Sequence, residues 1–203
     1  MTHRREERAK ATETEMHRAW MLGHVRDENG LEPHYQMIPR DELAAVPRNP
    51  VHVVLDNLRS AFNVGSIFRT SDAGAVAHAH LCGMTARPPN LKLQKTALGA
   101  FDYVPWTYYE TTAEALARLR DEDIPVVAIE AVEGAVSHIA FHWPRPVAIV
   151  FGHEVRGIGA DVLERVDAIV GIPMAGYKNS LNVATAFGII LYEILRQWGA
   201  LQR

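Results

Sequence analysis

From residue 51 to residue 198 the chain alternates short apolar runs with segments of helical period, and this alternation restricts its fold more than any other feature. "VHVVLDN" (51–57), "AHAHLCGM" (77–84), "YVPWTYY" (103–109), "IPVVAIEA" (124–131), "PVAIVFGHE" (146–154) and "AIVGIPM" (168–174) read as strands. Between them, "NVGSIFRTSDAGA" (63–75) reads as a helix with Asn63 near its N-cap, and "GADVLERV" (159–166) as a short helix. Thr111 with Glu114 forms a capping box for a further helix through about Arg120. The basic, Pro-containing stretch 87–100 reads as a loop with room for one short helix. Short apolar strands that alternate with helices predict an α/β fold, a mainly parallel sheet with helices on both faces.

The last segment, "IPMAGYKNSLNVATAFGIILYEILRQW" (172–198), runs from a strand end through a Gly-bearing loop into a long apolar helix. Val183, Phe187, Ile190, Leu191, Ile194 and Trp198 recur at three- and four-residue steps and share a face. Glu193 and Arg196 can pair as i,i+3 neighbours, and Gly199 marks the stop. Asn179 or Ser180 is the expected cap. Capping accounts for one small polar residue at this helix mouth. Ser180 and Asn182 together also fit a ligand loop, because a helix N-terminus presents free N–H groups and positive partial charge.

Residues 1–48 differ from the rest. They mix Arg, Glu, His and Ala, and Pro33, Pro39 and Pro47 interrupt the second half. We read 1–48 as an N-terminal extension, with a weak helical pattern over 4–25, and 49–203 as the main domain. No apolar run is long enough to span a bilayer, and the first twenty residues lack a signal-peptide core. With Cys82 as the single cysteine, neither a disulfide framework nor a cysteine-based metal site is expected; no metal and a cytoplasmic location are. The net charge of −3 disfavours indiscriminate coating of nucleic acid. Between Asn57 and Phe101, however, Arg59, Arg69, Arg87, Lys92 and Lys95 face the single acid Asp72, a local +4. That stretch is either a solvated basic edge or a phosphate-binding surface.

In a doubly wound sheet, ligands sit at the carboxyl ends of the strands. Three predicted strand ends here pair glycine with polar side chains: "NLRSAFNVGSIFR", "GHEVRGIG" and "AGYKNSLN". None is a G-x-G-x-x-G or G-x-x-x-x-G-K-[ST] phosphate fingerprint.

Taken in order, these strand ends resemble the SpoU–TrmH family of RNA ribose 2′-O-methyltransferases, of the SPOUT class. The matching motifs are Asn63-x-Gly65-x-x-x-Arg69, Gly152-x-Glu154-x-x-Gly157-Ile158, and Ile172-Pro173-Met174 followed by Ser180-Leu181-Asn182-Val183. The resemblance runs from about Pro50 to Gly199. It implies a SPOUT-type sheet with a C-terminal trefoil knot, S-adenosylmethionine as cofactor, tRNA or rRNA as partner and a homodimer. It implies cofactor contacts at Ile129, Gly152, Ile172, Met174, Ser180 and Leu181. It places Arg69, Asn63, Glu154, Ser180 and Asn182 in the catalytic site, with Arg59, Arg69, Lys92 and Lys95 against RNA. Guanidinium stays charged in proteins, so Arg69 is expected to clamp a phosphate and stabilise alkoxide rather than take a proton. Asn63 would position Arg69 or the ribose, and Glu154 would order the first and second loops. A surface pair of Arg69 with Asp72 is the plain alternative. An RNA-binding relative without methyl transfer is the alternative function, and a flavodoxin-like small-ligand binder a more distant one.

Overall fold

All the strands of the sheet run in one direction. In the computed structural model, which describes Glu42 and residues 45–201, they are β1 (Asn49–Asp56), β2 (Val76–Cys82), β3 (Trp106–Tyr109), β4 (Val126–Ile129), β5 (Val136–Ser137), β6 (Val147–Phe151) and β7 (Ala168–Gly171). Their order across the sheet is β3-β2-β1-β6-β4-β7-β5, and every pairing is parallel. The helices are α1 (Ala61–Ala73), α2 (Leu91–Ala97), α3 (Thr112–Asp121), α4 (Ala160–Leu163) and α5 (Val183–Gln197), with a 3-10 turn at Ala100–Asp102. The chain divides into two compact units, Met1–Val46 and Pro47–Arg203, and the sheet belongs to the second. The helical pattern read at 4–25 lies outside the described residues.

Each central strand is apolar on both faces because helices cover both. Side chains alternate along a strand. Val51, Val53 and Leu55 of β1 and Val147, Ile149 and Phe151 of β6 join one core with α1, α2 and α5. Val54, Ala148 and Val150 join the other with α3 and α4. The long C-terminal helix buries Phe187, Ile190, Leu191 and Ile194 completely. At roughly 1.5–3 kcal/mol per large apolar side chain, this face contributes on the order of 6–12 kcal/mol to the gross stabilisation. Glu193, half-buried, and the exposed Arg196 form the expected i,i+3 pair, at 2.8 Å.

Two caps differ from expectation. The helix read as starting at Asn63 begins at Ala61, and Ser60 is its N-cap, accepting from the Asn63 N–H. Asn63 is thus the third helical residue, and its side chain is released from capping. On α5 neither Asn179 nor Ser180 caps the helix; Asn182 does, accepting from the Ala184 and Thr185 N–H groups. The strand read at 103–109 is shortened to Trp106–Tyr109, because Ala100–Asp102 tightens into a 3-10 turn. The two-residue strand β5 was not anticipated.

A cluster of histidines lies on the α3 face, beside the buried Asp56–Thr112 pair. His52 on β1 and His80 on β2 approach at 3.1 Å between ring nitrogens, and His78 lies beside both. His80 is 3% exposed, and its Nδ1 has no hydrogen-bond partner among the described residues. Burial, reinforced by His78 and His52, pushes the His80 imidazole down to about 3. No cluster among the described residues is arranged to hold a metal ion, and no described helix is long and apolar enough to cross a membrane.

Candidate active site at the carboxyl ends of the strands

Because the sheet is all parallel, the loops that leave β1, β4, β6 and β7 emerge at one edge. The first loop, 57–60, leaves β1 at Asn57, whose side-chain oxygen accepts from Met84 N–H at 3.1 Å. Leu58 N–H donates to Thr85 Oγ1. These bonds hold the loop to the strand-two turn and aim the Arg59 and Ser60 N–H groups outward.

The second loop leaves β6 at Gly152 and closes on itself. His153 and Gly157 exchange both backbone hydrogen bonds, at 3.2 and 2.8 Å. His153 Nδ1 accepts from the Val155 and Arg156 N–H groups. His153 therefore has a structural job in the turn. At Gly152 a Cβ would fall 2.5–2.6 Å from the Gly157–Ile158 peptide, closer than real side chains come. Only glycine leaves this backbone its path.

Glu154 joins the two loops. Its Oε2 accepts from Arg59 N–H and its Oε1 from Ser60 N–H and the Asn63 side-chain amide, each at 2.9 Å. Burial alone would raise the Glu154 carboxyl. The Arg59 N–H, the Asn63 amide and the remaining donors outweigh burial and hold it below the usual glutamate range. It is thus an ionised acceptor with its lone pairs committed, which suits an organiser better than a proton shuttle.

The third loop, 172–182, follows β7 and leads into α5. Asn182 Nδ2 donates to Asn63 Oδ1 at 3.0 Å while its own Oδ1 caps the helix. A continuous chain of bonds runs from Glu154 through Asn63 and Asn182 to the α5 N-terminus. It links the loops after β6, β1 and β7, and it fixes which way each amide points. The rest of the third loop is open: Tyr177 is 97% exposed, Ser180 and Leu181 are exposed, and nothing stands within 4 Å of a Cβ on Gly176.

The structure thus brings Asn63, Glu154, Asn182 and the Arg59 backbone into direct contact. Ile129 is buried at the end of β4, and Ile172 packs against the larger core. Gly152 and Met174 are partly covered. Arg69 is exposed on α1 and makes no hydrogen bond or ion pair with any described residue, so the pair with Asp72 does not form. Lys92 and Lys95 are exposed on α2, which packs closely on α1: a Cβ at Gly65 would lie 2.7 Å from Thr96 Cβ. Gly65 is therefore a helix-packing residue. Ser60 and His153 organise the loops; the sequence suggests a structural or RNA-facing role for His153 and gives none to Ser60. Their signals were present as a serine three residues before Asn63 and an imidazole before a turn.

Residues 50–192 match the model of the SpoU rRNA Methylase family. The 23S rRNA (guanosine-2′-O-)-methyltransferase RlmB of Vibrio parahaemolyticus is 33% identical over 159 residues, covering 77% of this chain and 63% of the relative. The tRNA (guanosine(18)-2′-O)-methyltransferase of Escherichia coli K12 is 30% identical over 156 residues, covering 77% of this chain and 67% of the relative. The crystal structure of the SpoU methyltransferase AviRb from Streptomyces viridochromogenes, in complex with the cofactor AdoMet, superposes with a TM-score of 0.70. It is 28% identical, and the match covers 80% of this chain and 67% of that one. The chain spans a little under two thirds of the RlmB relative and about two thirds of the other two.

Proposed function

This chain belongs to the SpoU rRNA Methylase family, and on that premise we propose that it is an S-adenosylmethionine-dependent methyltransferase acting on a ribose 2′-hydroxyl of tRNA or rRNA. The observation that carries this reading is the Glu154–Asn63–Asn182 chain of hydrogen bonds, which joins the three motif loops at one edge of the sheet. Relatives named for guanosine 2′-O-methylation of rRNA and of tRNA support the same chemistry.

The residues around the loops suit this cofactor. Ile129, Gly152, Ile172, Met174, Ser180 and Leu181 offer backbone groups, aliphatic surface and one hydroxyl, with no cationic side chain among them. Such a cup accepts an adenosyl group and tolerates a sulfonium charge. Bound there, S-adenosylmethionine supplies an electrophilic methyl group. A ribose hydroxyl is a weak nucleophile, so the protein must orient it and stabilise negative charge as its proton leaves. Arg69 is free to do so. Its planar, permanently charged fork can grip the neighbouring phosphate and face the developing alkoxide, while phosphate or water takes the proton. Asn63 and Glu154 hold the first and second loops in register. Ser180 and Asn182 shape the third loop, and Arg59, Lys92 and Lys95 meet the RNA backbone.

Of the further parts of the reading, the homodimer and the knot follow family resemblance, while the role of the extension and the compartment follow from the sequence alone. The chain acts as a homodimer, its C-terminal part is tied in a trefoil knot, residues 1–48 form an extension that helps position RNA, and the protein works in the cytoplasm. Incubating the purified protein with labelled S-adenosylmethionine and separated tRNA and rRNA tests the central claim. Transfer of label to ribose 2′-oxygens, with the matching sites unmodified in cells lacking the protein, is the expected result. Cofactor binding with no transfer to any cellular RNA would overturn it in favour of an RNA-binding protein without turnover.

A further inference from the structure

Glu130 has no part in the network described above, yet its side chain is fully engaged. It follows Ile129 at the end of β4, and its N–H donates to the Val170 carbonyl at 3.1 Å, extending the β4–β7 ladder by one bond. Its carboxylate reaches across to the loop after β6. Oε2 accepts from Ile158 N–H at 2.9 Å, and Oε1 accepts from Ala131 N–H at 3.1 Å. Gly157 lies directly over this carboxylate with φ +68, and a Cβ there would fall 2.5 Å from Glu130 Oε2. Glycine is favoured at 157 by its backbone conformation, and a Cβ there would also push the Glu130 carboxylate aside. On the other side of the same peptide, a Cβ on Gly152 would strike Gly157 and Ile158. The 157–158 peptide thus lies close to both the Glu130 carboxylate and Gly152.

A glutamate at a strand end is ordinarily a solvated charge. Here both its oxygens are committed to backbone N–H groups, one of them in another loop, and charge-assisted bonds are the stronger kind. We propose that Glu130 is a positioning residue for the cofactor cup: its carboxylate pins the loop after β6 to the end of β4 and sets the spacing between Ile129 and the Gly152 backbone. This rests on the S-adenosylmethionine reading above. The loop 152–158 is then held by two carboxylates with different duties. Glu154 ties it to the first loop, on the side assigned to substrate. Glu130 ties its far end to β4, on the side assigned to cofactor.

The test compares Glu130→Ala and Glu130→Gln in the full chain with the wild type. Calorimetry measures S-adenosylmethionine and S-adenosylhomocysteine binding, and hydrogen exchange follows the 152–159 segment without ligand. Loss of the inter-loop charge-assisted bond to Ile158 in Glu130→Ala is expected to weaken both ligands alike, by about ten- to a hundredfold. Glu130→Gln keeps an oxygen for the Ile158 N–H and should recover part of that loss. Turnover should suffer through KM for S-adenosylmethionine, not KM for RNA. The Ile158 amide should exchange faster in Glu130→Ala even with no ligand present. Unchanged cofactor affinity with unchanged exchange overturns the proposal. Weakening confined to S-adenosylmethionine also overturns it, since that would be a direct charge contact with the sulfonium. Should the wild type bind neither ligand, the functional reading fails by itself, and the exchange experiment still decides whether Glu130 pins the loop. If Glu130→Ala does not fold, Glu130→Gln decides by the same readings.

Discussion

Glu154→Gln keeps the shape of the side chain and removes its charge, so it isolates what the carboxylate does. The carboxylate accepts three bonds, two on Oε1 and one on Oε2. The best placement of the new amide puts its oxygen at Oε1, where Ser60 N–H and Asn63 Nδ2 still find an acceptor. Its NH2 then faces the Arg59 N–H, donor against donor. One charge-assisted bond worth about 1.5–3 kcal/mol is lost, and two others weaken to neutral bonds at about 1 kcal/mol each. The gross loss is about 2.5–7 kcal/mol, but Arg59 is exposed and water can replace the missing acceptor. A net loss of about 2 kcal/mol remains by this reasoning, which corresponds to roughly a thirtyfold fall in single-turnover methyl transfer if the first loop must be held for reaction. Should the loss be felt by the whole domain, Tm falls by about 4–8 °C. The carboxyl titrates below the ordinary range, so it stays ionised from pH 5 upward and the wild-type pH–rate profile should show no limb due to Glu154. Wild-type rate with unchanged Tm would refute the organising role. A rate loss beyond about ten-thousandfold with unchanged Tm and an altered pH profile would instead make Glu154 the proton acceptor.

Four other outcomes can be checked. Arg69→Ala should lower the transfer rate by about a hundredfold or more with cofactor binding intact. Arg69→Lys should stay slow because lysine lacks the planar fork, and full activity in that variant would exclude a two-pronged grip. Gly152→Val should abolish measurable S-adenosylmethionine binding in calorimetry, because even a Cβ falls within 2.6 Å of the Gly157–Ile158 peptide. Acid should destabilise the fold through the histidine group. The buried His80 accepts a proton only near pH 3, and His52 and His78 are also lowered by burial, with Glu122 opposing the shift at both. The unfolded chain accepts these protons near pH 6.5, so the stability is fully present above that value and is lost as pH falls toward 3. Between pH 6.5 and 5 this costs about 2 kcal/mol for His80 alone. Thermal melts of the wild type and His80→Leu at pH 7.5 and 5.0 should show a smaller pH effect in the variant, and an equal effect would disprove the linkage. Sedimentation at micromolar concentration should find a dimer; a monomer would refute the proposed assembly.

Alternation of apolar runs was enough to place the six longer strands and the helices on both faces, because burial on two sides leaves a continuous hydrophobic signal. The two-residue β5 has no periodicity to detect. The cap positions were misread for a physical reason. Asn63, Asn179, Ser180 and Asn182 are all good caps, and local preference ranks them nearly alike. The structure gives capping of α1 to Ser60 because Asn63 is engaged by Glu154 and Asn182, residues 91 and 119 positions away. Sequence motifs pointed to loops at one sheet edge, and the structure shows that Asn63, Glu154 and Asn182 touch there. Glu130 left no trace at all: a glutamate after a strand is an ordinary surface residue until a distant Ile158 N–H comes to it.

The Asn63–Asn182 bond spans 119 positions, and β1 reaches its neighbour β6 only after Val51 meets Val147. Contacts of such long range form slowly, because a large loop must close before any pairing rewards it. During synthesis the first motif emerges first and can fold its own helix, but its partner at Asn182 follows 119 positions later. Glu154 can be gripped sooner than Asn182, so the loops are joined in a fixed sequence, first to second and then to third. A chain cut short between the end of β7 and Asn182 would hold all seven strands and still lack the bond that joins the third loop to the first. The hydrogen-bonded junction of the three loops is therefore a late event, closed only when Asn182 and the start of α5 have joined the sheet.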